Sequence, residues 1–382
     1  MNFPEKTIFV SGATGFIGGR VCERLAQEGA RDVRALVHDI QHAPRIARLP
    51  VQLCVGDLLD AQSLRANLGK AKLAIHLGLG HGGAIVKGTR NLLEVARAAG
   101  VERFVHISTT AVYGLRPSPG CETEEAPTRR SGDAYCDNKI TAERVVEKFS
   151  KCGLPTVTLR PSIVCGPYSR WSTRSIDGLK QGTITLIDGG DGICNTTYVD
   201  NLVDAIFLAL ESSSAVGQVF TITDGETPTW GDFIRAHAAM IDPSPALSQI
   251  STERLLAYYR DRPGLLRSTF QEVRRILVSA EFRQMIKRTT LGERIMTKAW
   301  LWVQSLDDKA KDRLLLRLSG RNARNSIEDR AFVPDLDTWK IQSQKVKFSI
   351  SKARKILGYE PRISFIEGIR LTELWLRFAN YL

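Results

Sequence analysis

The segment Ile8-Phe9-Val10-Ser11-Gly12-Ala13-Thr14-Gly15-Phe16-Ile17-Gly18-Gly19-Arg20 constrains this chain more than any other. A continuous apolar run, the mark of a buried parallel strand, breaks into glycines and passes into helix-compatible sequence. Glycines at 12, 15 and 18 permit a tight turn, a close approach of backbone to a pyrophosphate, and close packing of helix on strand. A helix from Phe16 to about Glu28 would aim its free N–H groups and the positive end of its dipole at that anion. The same glycines also serve a plain strand-to-helix turn, so the rest of the chain must decide.

At 382 residues the chain can bury a large core and suits one big domain or two unequal ones. Its 43% hydrophobic and 25% charged residues are those of an ordinary globular protein. No run approaches the ~18 apolar residues of a membrane span, and the N-terminus enters a strand without a signal peptide, so a cytoplasmic location is expected. The seven cysteines, Cys22, Cys54, Cys121, Cys136, Cys152, Cys165 and Cys194, show no metal-ligand spacing and read as reduced thiols, with no metal site expected. A net charge of +12 points to an anionic partner without choosing among a phosphorylated cofactor, a nucleotide-linked substrate, a membrane surface or nucleic acid.

Strand-like runs at 33–37, 51–55, 73–77 and 103–107 alternate with helical stretches, one of them 88–96 before Gly100. That alternation predicts an α/β fold, a Rossmann-like doubly wound parallel sheet with ligands beyond the carboxyl ends of its strands. Two pieces carry chemistry. Ser108-Thr109-Thr110-Ala111-Val112-Tyr113-Gly114 follows the fifth strand, and Tyr135-Cys136-Asp137-Asn138-Lys139 lies in a helical stretch running to about Lys151. Residues four apart share a helix face, so the Tyr135 phenol and the Lys139 ammonium can both face the cleft, although a surface pair has the same spacing. Lowering a phenol from its usual ~10 by ~3 units takes about 4 kcal/mol of preferential phenolate stabilisation, toward which a nearby ammonium contributes in a low-dielectric cleft.

Taken together, Ser-Gly-Ala-Thr-Gly-Phe-Ile-Gly at 11–18 and the Tyr135–Lys139 pair resemble the extended short-chain dehydrogenase/reductase family, also called the NAD-dependent epimerase/dehydratase family. Arg160-Pro161-Ser162-Ile163-Val164-Cys165-Gly166-Pro167 and Tyr198-Val199-Asp200-Asn201 are similar to two further family segments. The resemblance implies Tyr135 as acid/base, Lys139 as its partner and holder of the nicotinamide ribose, and Thr109 as hydrogen-bond donor to the reacting oxygen, with Ser108 and Thr110 as alternates. It implies cofactor contacts from Gly12, Thr14, Gly15, Phe16, Ile17, Gly18, His38, Asp57, Leu58, Leu77, Gly78, Tyr135, Lys139, Pro161, Ser162 and Val164. Asp57 reads equally well as a turn residue or cap. NADP is expected ahead of NAD, because His38 stands where NAD-preferring relatives end the second strand with Asp, and Arg45 is near in sequence. Ile85 replaces a family Asn, which puts that residue's structural or relay role in doubt here, and Thr110-Ala111 replaces the Asp-Glu pair of dehydratases, which disfavours dehydration.

The expected division is a cofactor domain over 1–166, rejoined by 196–224, and a smaller, mostly helical substrate-binding region over 167–382. Family similarity lapses at about 243–337, read as a helical insertion that acts as a lid or dimer contact, with a membrane-surface role as the alternative. The function expected is reversible hydride transfer at a secondary alcohol or ketone, with a sugar or nucleotide sugar narrowly ahead of an apolar ketone of the 3β-hydroxysteroid dehydrogenase branch. The sugar reading is weakened at Ile163 and Cys194, where UDP-sugar relatives carry Asn and Arg. A non-catalytic nucleotide-binding or nucleic-acid-binding member is the alternative of another class; it has no need to keep Thr109, Tyr135 and Lys139 together. Partners expected are a small-molecule substrate and a second copy of the chain, with no nucleic acid.

Overall fold

A computed structural model describes residues 5–78, 82–242, 246–260 and 333–382. The chain forms two compact units, Met1–Ser251 with Phe332–Leu382, and Thr252–Ala331. The boundary expected at 166 lies inside the first unit, and the second unit lies within the stretch expected to be an insertion. Of the helices expected in that insertion, the one around Leu255 is seen as Thr252–Arg260, and those at 273–277 and 295–302 lie outside the described residues.

The first unit begins with β1 (Thr7–Ser11), α1 (Phe16–Gln27), β2 (Asp32–Val37), β3 (Gln52–Val55), α2 (Ala61–Leu68), β4 (Leu73–His76), α3 (Ala84–Ala98) and β5 (Arg103–Ile107). It continues with α4 (Ala134–Lys151), β6 (Thr156–Pro161), β7 (Ile163–Cys165), α5 (Arg170–Lys180), β8 (Thr185–Ile187) and β9 (Thr196–Tyr198). Then come α6 (Val199–Glu211), β10 (Val219–Ile222), α7 (Trp230–Ala239) and β11 (Ser248–Ile250). The helix Thr252–Arg260 is α8, followed by α9 (Leu336–Gln342), α10 (Ser351–Leu357) and α11 (Phe365–Phe378).

Seven strands form one sheet in the order β10-β6-β5-β4-β1-β2-β3, and every pair is parallel. The order runs outward in both directions from β1 and β4, so the crossovers diverge there and open a crevice at the strands' carboxyl ends. Alternation along β1 explains the layers. Ile8 and Val10 pack with Val21 and Leu25 of α1 and Leu202, Ile206 and Phe207 of α6. Phe9 faces the other way, into Leu64 and Leu68 of α2, Leu92 and Leu93 of α3, and Val145 and Val146 of α4. With both faces covered, the strands read as apolar runs rather than alternating ones.

Ion pairs fix α1 in place. Arg20 bonds Asp200 Oδ1 at 2.9 and 2.7 Å, and Arg24 bonds Asp200 at 3.1 Å and Asp204 at 2.9 Å. The acidic positions of Tyr198-Val199-Asp200-Asn201-Leu202-Val203-Asp204 thus tie α6 to the helix that follows the glycine loop. Asn201 extends the tie to the C-terminal residues, donating to Ile363 O and accepting from Arg362 N and Ile363 N. Among the described residues no helix is long and apolar enough to cross a membrane.

Candidate active site

The glycine loop sits at the β1–β4 divergence. Gly12 has φ +72°, and a Cβ there would stand 2.7 Å from the Leu77 carbonyl carbon and 2.9 Å from Gly78 N. A Cβ on Gly18 would collide with the Gly12 carbonyl, so helix and turn close onto each other only with glycine at both positions. Gly15 caps α1 without any side-chain hydrogen bond, and the first turn holds no acidic residue. Gly15 is exposed, and Thr14, Phe16 and Ile17 are half-buried. This open, uncapped helix start offers N–H groups and the positive end of the helix dipole to an anion, which fits the pyrophosphate of a dinucleotide.

Further along the strand ends, His38 follows β2 with 79% of its side chain exposed, and its Nδ1 lies 3.7 Å from Asp57 Oδ2. Asp57 also accepts from Leu59 N at 2.8 Å, so it does serve as a turn former. Leu58 packs against Gly78 and Gly88, where a Cβ would meet it at under 3 Å, and Asn91 Nδ2 holds its carbonyl at 3.0 Å. Arg45 does not reach out beside His38 as a free cation. Its guanidinium bonds Glu23 at 2.8 Å and the Phe16 carbonyl at 3.1 Å, and stacks 4.0 Å over the Tyr168 ring. Pro161 ends β6, Ser162 N donates to Thr197 Oγ1 at 3.3 Å, and Val164 is buried in β7, which pairs with β9.

The structure brings Thr109, Tyr135 and Lys139 together at the end of β5. Thr109 caps a single 3-10 turn (Thr110–Tyr113) by accepting from Ala111 N at 3.2 Å, which leaves its hydroxyl proton free to donate elsewhere. Asp133 caps α4 by accepting from Cys136 N at 2.8 Å, which sets Tyr135 in the first turn. The Thr109 side chain lies near enough to the Tyr135 hydroxyl to pull the phenol downward, against burial, while 42% of the residue stays exposed. Burial of the hydroxyl end pushes the phenol up to about 12. Lys139, one turn on, is 3% exposed and donates to the Ile107 carbonyl at 2.8 Å. Desolvation brings its ammonium down to about 8, with Glu143 opposing the fall.

Several residues around this pair gave no functional signal in the sequence. His76 on β4 bonds Ser11 Oγ at 2.7 Å and Thr89 Oγ1 at 2.9 Å. Because Thr89 donates its own proton to Ile85 O, it must accept from Nε2–H of the imidazole, which makes Nδ1 the acceptor from Ser11. The backbone carbonyl of Ile85 therefore does polar work at a position where the side chain cannot. His106, opposite His76 in the sheet register, is 1% exposed with neither ring nitrogen partnered. Burial lowers His76 to about 3 and His106 well below its ordinary value, and the Lys139 charge adds to both. Arg160, quoted above only beside Pro161, makes a buried two-point pair with Glu143 of α4.

The family model for the NAD dependent epimerase/dehydratase family matches residues 8–223, from β1 through β10. A 2-alkyl-3-oxoalkanoate reductase of Stenotrophomonas maltophilia is 30% identical over 236 residues, covering 57% of this chain and 71% of its own. A 3-beta-hydroxysteroid dehydrogenase of Mycolicibacterium neoaurum is 26% identical over 252 residues, 60% of this chain and 68% of its own. The crystal structure of UDP-glucuronic acid 4-epimerase from Bacillus cereus in complex with NAD superposes with a TM-score of 0.65 at 19% identity, over 98% of this chain and 99% of that one. With more than half of its length matched and the glycine crevice in place, this chain belongs to the NAD-dependent epimerase/dehydratase family of extended short-chain dehydrogenase/reductases.

Proposed function

We propose that the protein carries out reversible hydride transfer at a carbon bearing a secondary alcohol or ketone. Tyr135 exchanges a proton with the substrate oxygen, Thr109 donates a hydrogen bond to that oxygen, and Lys139 supplies the charge that makes a phenolate affordable in the cleft. A bound nicotinamide dinucleotide would accept or return the hydride, held by the 12–18 loop, Asp57, Leu58, Leu77, Gly78 and the Pro161–Val164 backbone. The observation that carries the reading is the Tyr135 hydroxyl beside Thr109, with the Lys139 ammonium one helical turn away and pinned to Ile107 O.

For the substrate, an apolar ketone or alcohol is the favoured reading. Cys194, which stands where UDP-sugar relatives place an arginine, is fully buried, and Ile163 is half-buried and apolar, so neither supplies a diphosphate contact. The two curated relatives described above are a reductase of an oxoalkanoate and a dehydrogenase of a hydroxysteroid. The nucleotide-sugar reading stands second, on the +12 charge and on exposed Arg170 and Arg174 at the start of α5. A thermal-shift and turnover screen of alkyl and sterol-type ketones against nucleotide sugars, each with reduced dinucleotide, separates the two. Turnover of a nucleotide sugar with no response to any phosphate-free ketone reverses the order.

NADP stays ahead of NAD on one ground, that position 38 offers an imidazole and not a carboxylate to the ribose. Because Arg45 is engaged by Glu23 and Phe16 O, the preference is expected to stay under about tenfold, or 1.4 kcal/mol. Fluorescence titration with both reduced forms measures it, and tighter binding of NADH overturns it.

A further inference from the structure

Tyr135, Lys139 and Glu143 fall four apart on α4, so they form one stripe along the helix. Two of them are fastened to the sheet, Lys139 by its bond to the last carbonyl of β5 and Glu143 by its pair with Arg160 on β6, while Tyr135 stands near the Thr109 side chain. The Glu143–Arg160 pair is two-pointed, 3.0 Å at Nε and 2.6 Å at Nη2, with the side chains only 9% and 7% exposed. The third arm of the same guanidinium, Nη1, donates to the Tyr113 hydroxyl at 2.6 Å, and Tyr113 in turn donates to Thr123 O at 3.2 Å. Tyr113 closes the 3-10 turn that Thr109 opens, and its ring packs 5.7 Å from that of Phe348.

These contacts make a brace that runs from the turn after Thr109 through Tyr113 to Arg160, across to Glu143, and up α4 to Tyr135, which faces Thr109 at its open end. We propose that Glu143, Arg160 and Tyr113 are positioning residues that set the Thr109–Tyr135 spacing, with Glu143 serving also as the counter-anion one turn below Lys139. A planar guanidinium suits the task, because its fork fixes two carboxylate oxygens while a third N–H holds the phenol at a set angle. Arg160 also divides the field of Glu143 between itself and the lysine, which is consistent with Lys139 resting below the ordinary lysine range despite a carboxylate nearby.

The inference rests on Tyr135 and Lys139 being the acid–base pair, so its test needs one readout that does not depend on turnover. Three variants serve: Glu143→Gln, which removes the charge at constant shape; Glu143→Asp, which keeps the charge and shortens the reach; and Tyr113→Phe, which removes one hydroxyl. The substrate-free readouts are the pH titration of Lys139 in ¹³Cε-lysine-labelled protein, assigned with Lys139→Met, and the Tyr135 ¹³Cζ resonance, assigned with Tyr135→Phe. Glu143→Gln should move the Lys139 midpoint to lower pH by about half a unit or more, a factor of about three. It should also lower kcat by about tenfold with KM little changed, since the loss falls on the transition state. Glu143→Asp should restore the Lys139 midpoint without restoring kcat, and Tyr113→Phe should shift the Tyr135 resonance and leave the Lys139 midpoint in place. If Glu143→Gln does not fold, the Asp and Phe variants decide on the same resonances. A Lys139 midpoint and a Tyr135 resonance unmoved in every folded variant overturn the proposal, even if melting temperatures fall. Moved resonances in a protein that turns over no ketone, alcohol or sugar would support the brace and count against the hydride-transfer reading alone.

Discussion

Tyr135→Phe is expected to cut turnover by about 10²–10⁴-fold, the contribution of one well-placed acid or base. Dinucleotide affinity should stay within about twofold of wild type, a few tenths of a kcal/mol, because only the proton-carrying oxygen is lost and the ring keeps its place in the first turn of α4. Lys139→Ala should lower both quantities, since it removes a charge that is buried and anchored to Ile107 O. The ammonium is charged below about pH 8 and neutral above it, so a rate that depends on that charge falls as pH rises through 8. Steady-state rates across pH, read beside fluorescence titrations with reduced dinucleotide, check both halves. Wild-type turnover by Tyr135→Phe would falsify the acid–base assignment.

Acid should destabilise the first unit well above the carboxylate range. His76 is lowered to about 3, His237 to about 4 and His106 well below its ordinary value, in each case chiefly by burial. In the unfolded chain all three take up protons near 6.5, so below that pH the unfolded state binds more protons and stability falls as pH falls. At pH 5 His76 and His237 each contribute a loss of about 2 kcal/mol, and His106 adds to it in the same direction, together a large share of the ~5–15 kcal/mol that holds a domain folded. Denaturant melts at pH 7, 6 and 5 measure the slope. His106→Leu, which replaces a ring with no hydrogen-bond partner, should keep the fold at pH 7 and reduce the acid sensitivity. Equal stability at pH 7 and pH 5 would show that these rings gain their protons inside the fold.

Much of this was legible in the residues themselves. The β1 run and its glycines demanded a buried strand and a tight turn because few other sequences tolerate Gly12 at positive φ with a helix closing on it at Gly18. Thr109, Tyr135 and Lys139 were legible because strand end and helix spacing are local properties, and the fold brings them together without further information. The buried polar layer was not. His76 and His106 sit in apolar strand runs, and only the sheet register places them side by side. Arg45 lies close to His38 in sequence, yet its planar group finds Glu23 and Phe16 O, contacts that depend on how the chain after β2 folds back over α1. Arg160, Glu143 and Tyr113 are likewise far apart in sequence, and side-chain hydrogen bonds of that range leave no periodic trace.

The first unit is discontinuous: it takes its last portion, Phe332–Leu382, from beyond the second unit. That portion is not peripheral. Val346 and Phe348 cover Val112, Tyr113 and Ile140, Asn195 holds the Val346 carbonyl and the Phe348 amide, and the Tyr359 hydroxyl bonds Thr223 O. During synthesis the seven strands are therefore complete long before the turn beneath Thr109 has its final cover. A nascent chain that stops at 331 has every strand of the sheet but lacks the cover on Val112 and Tyr113, so ordering of the turn beside Thr109 waits until Val346 and Phe348 have been made.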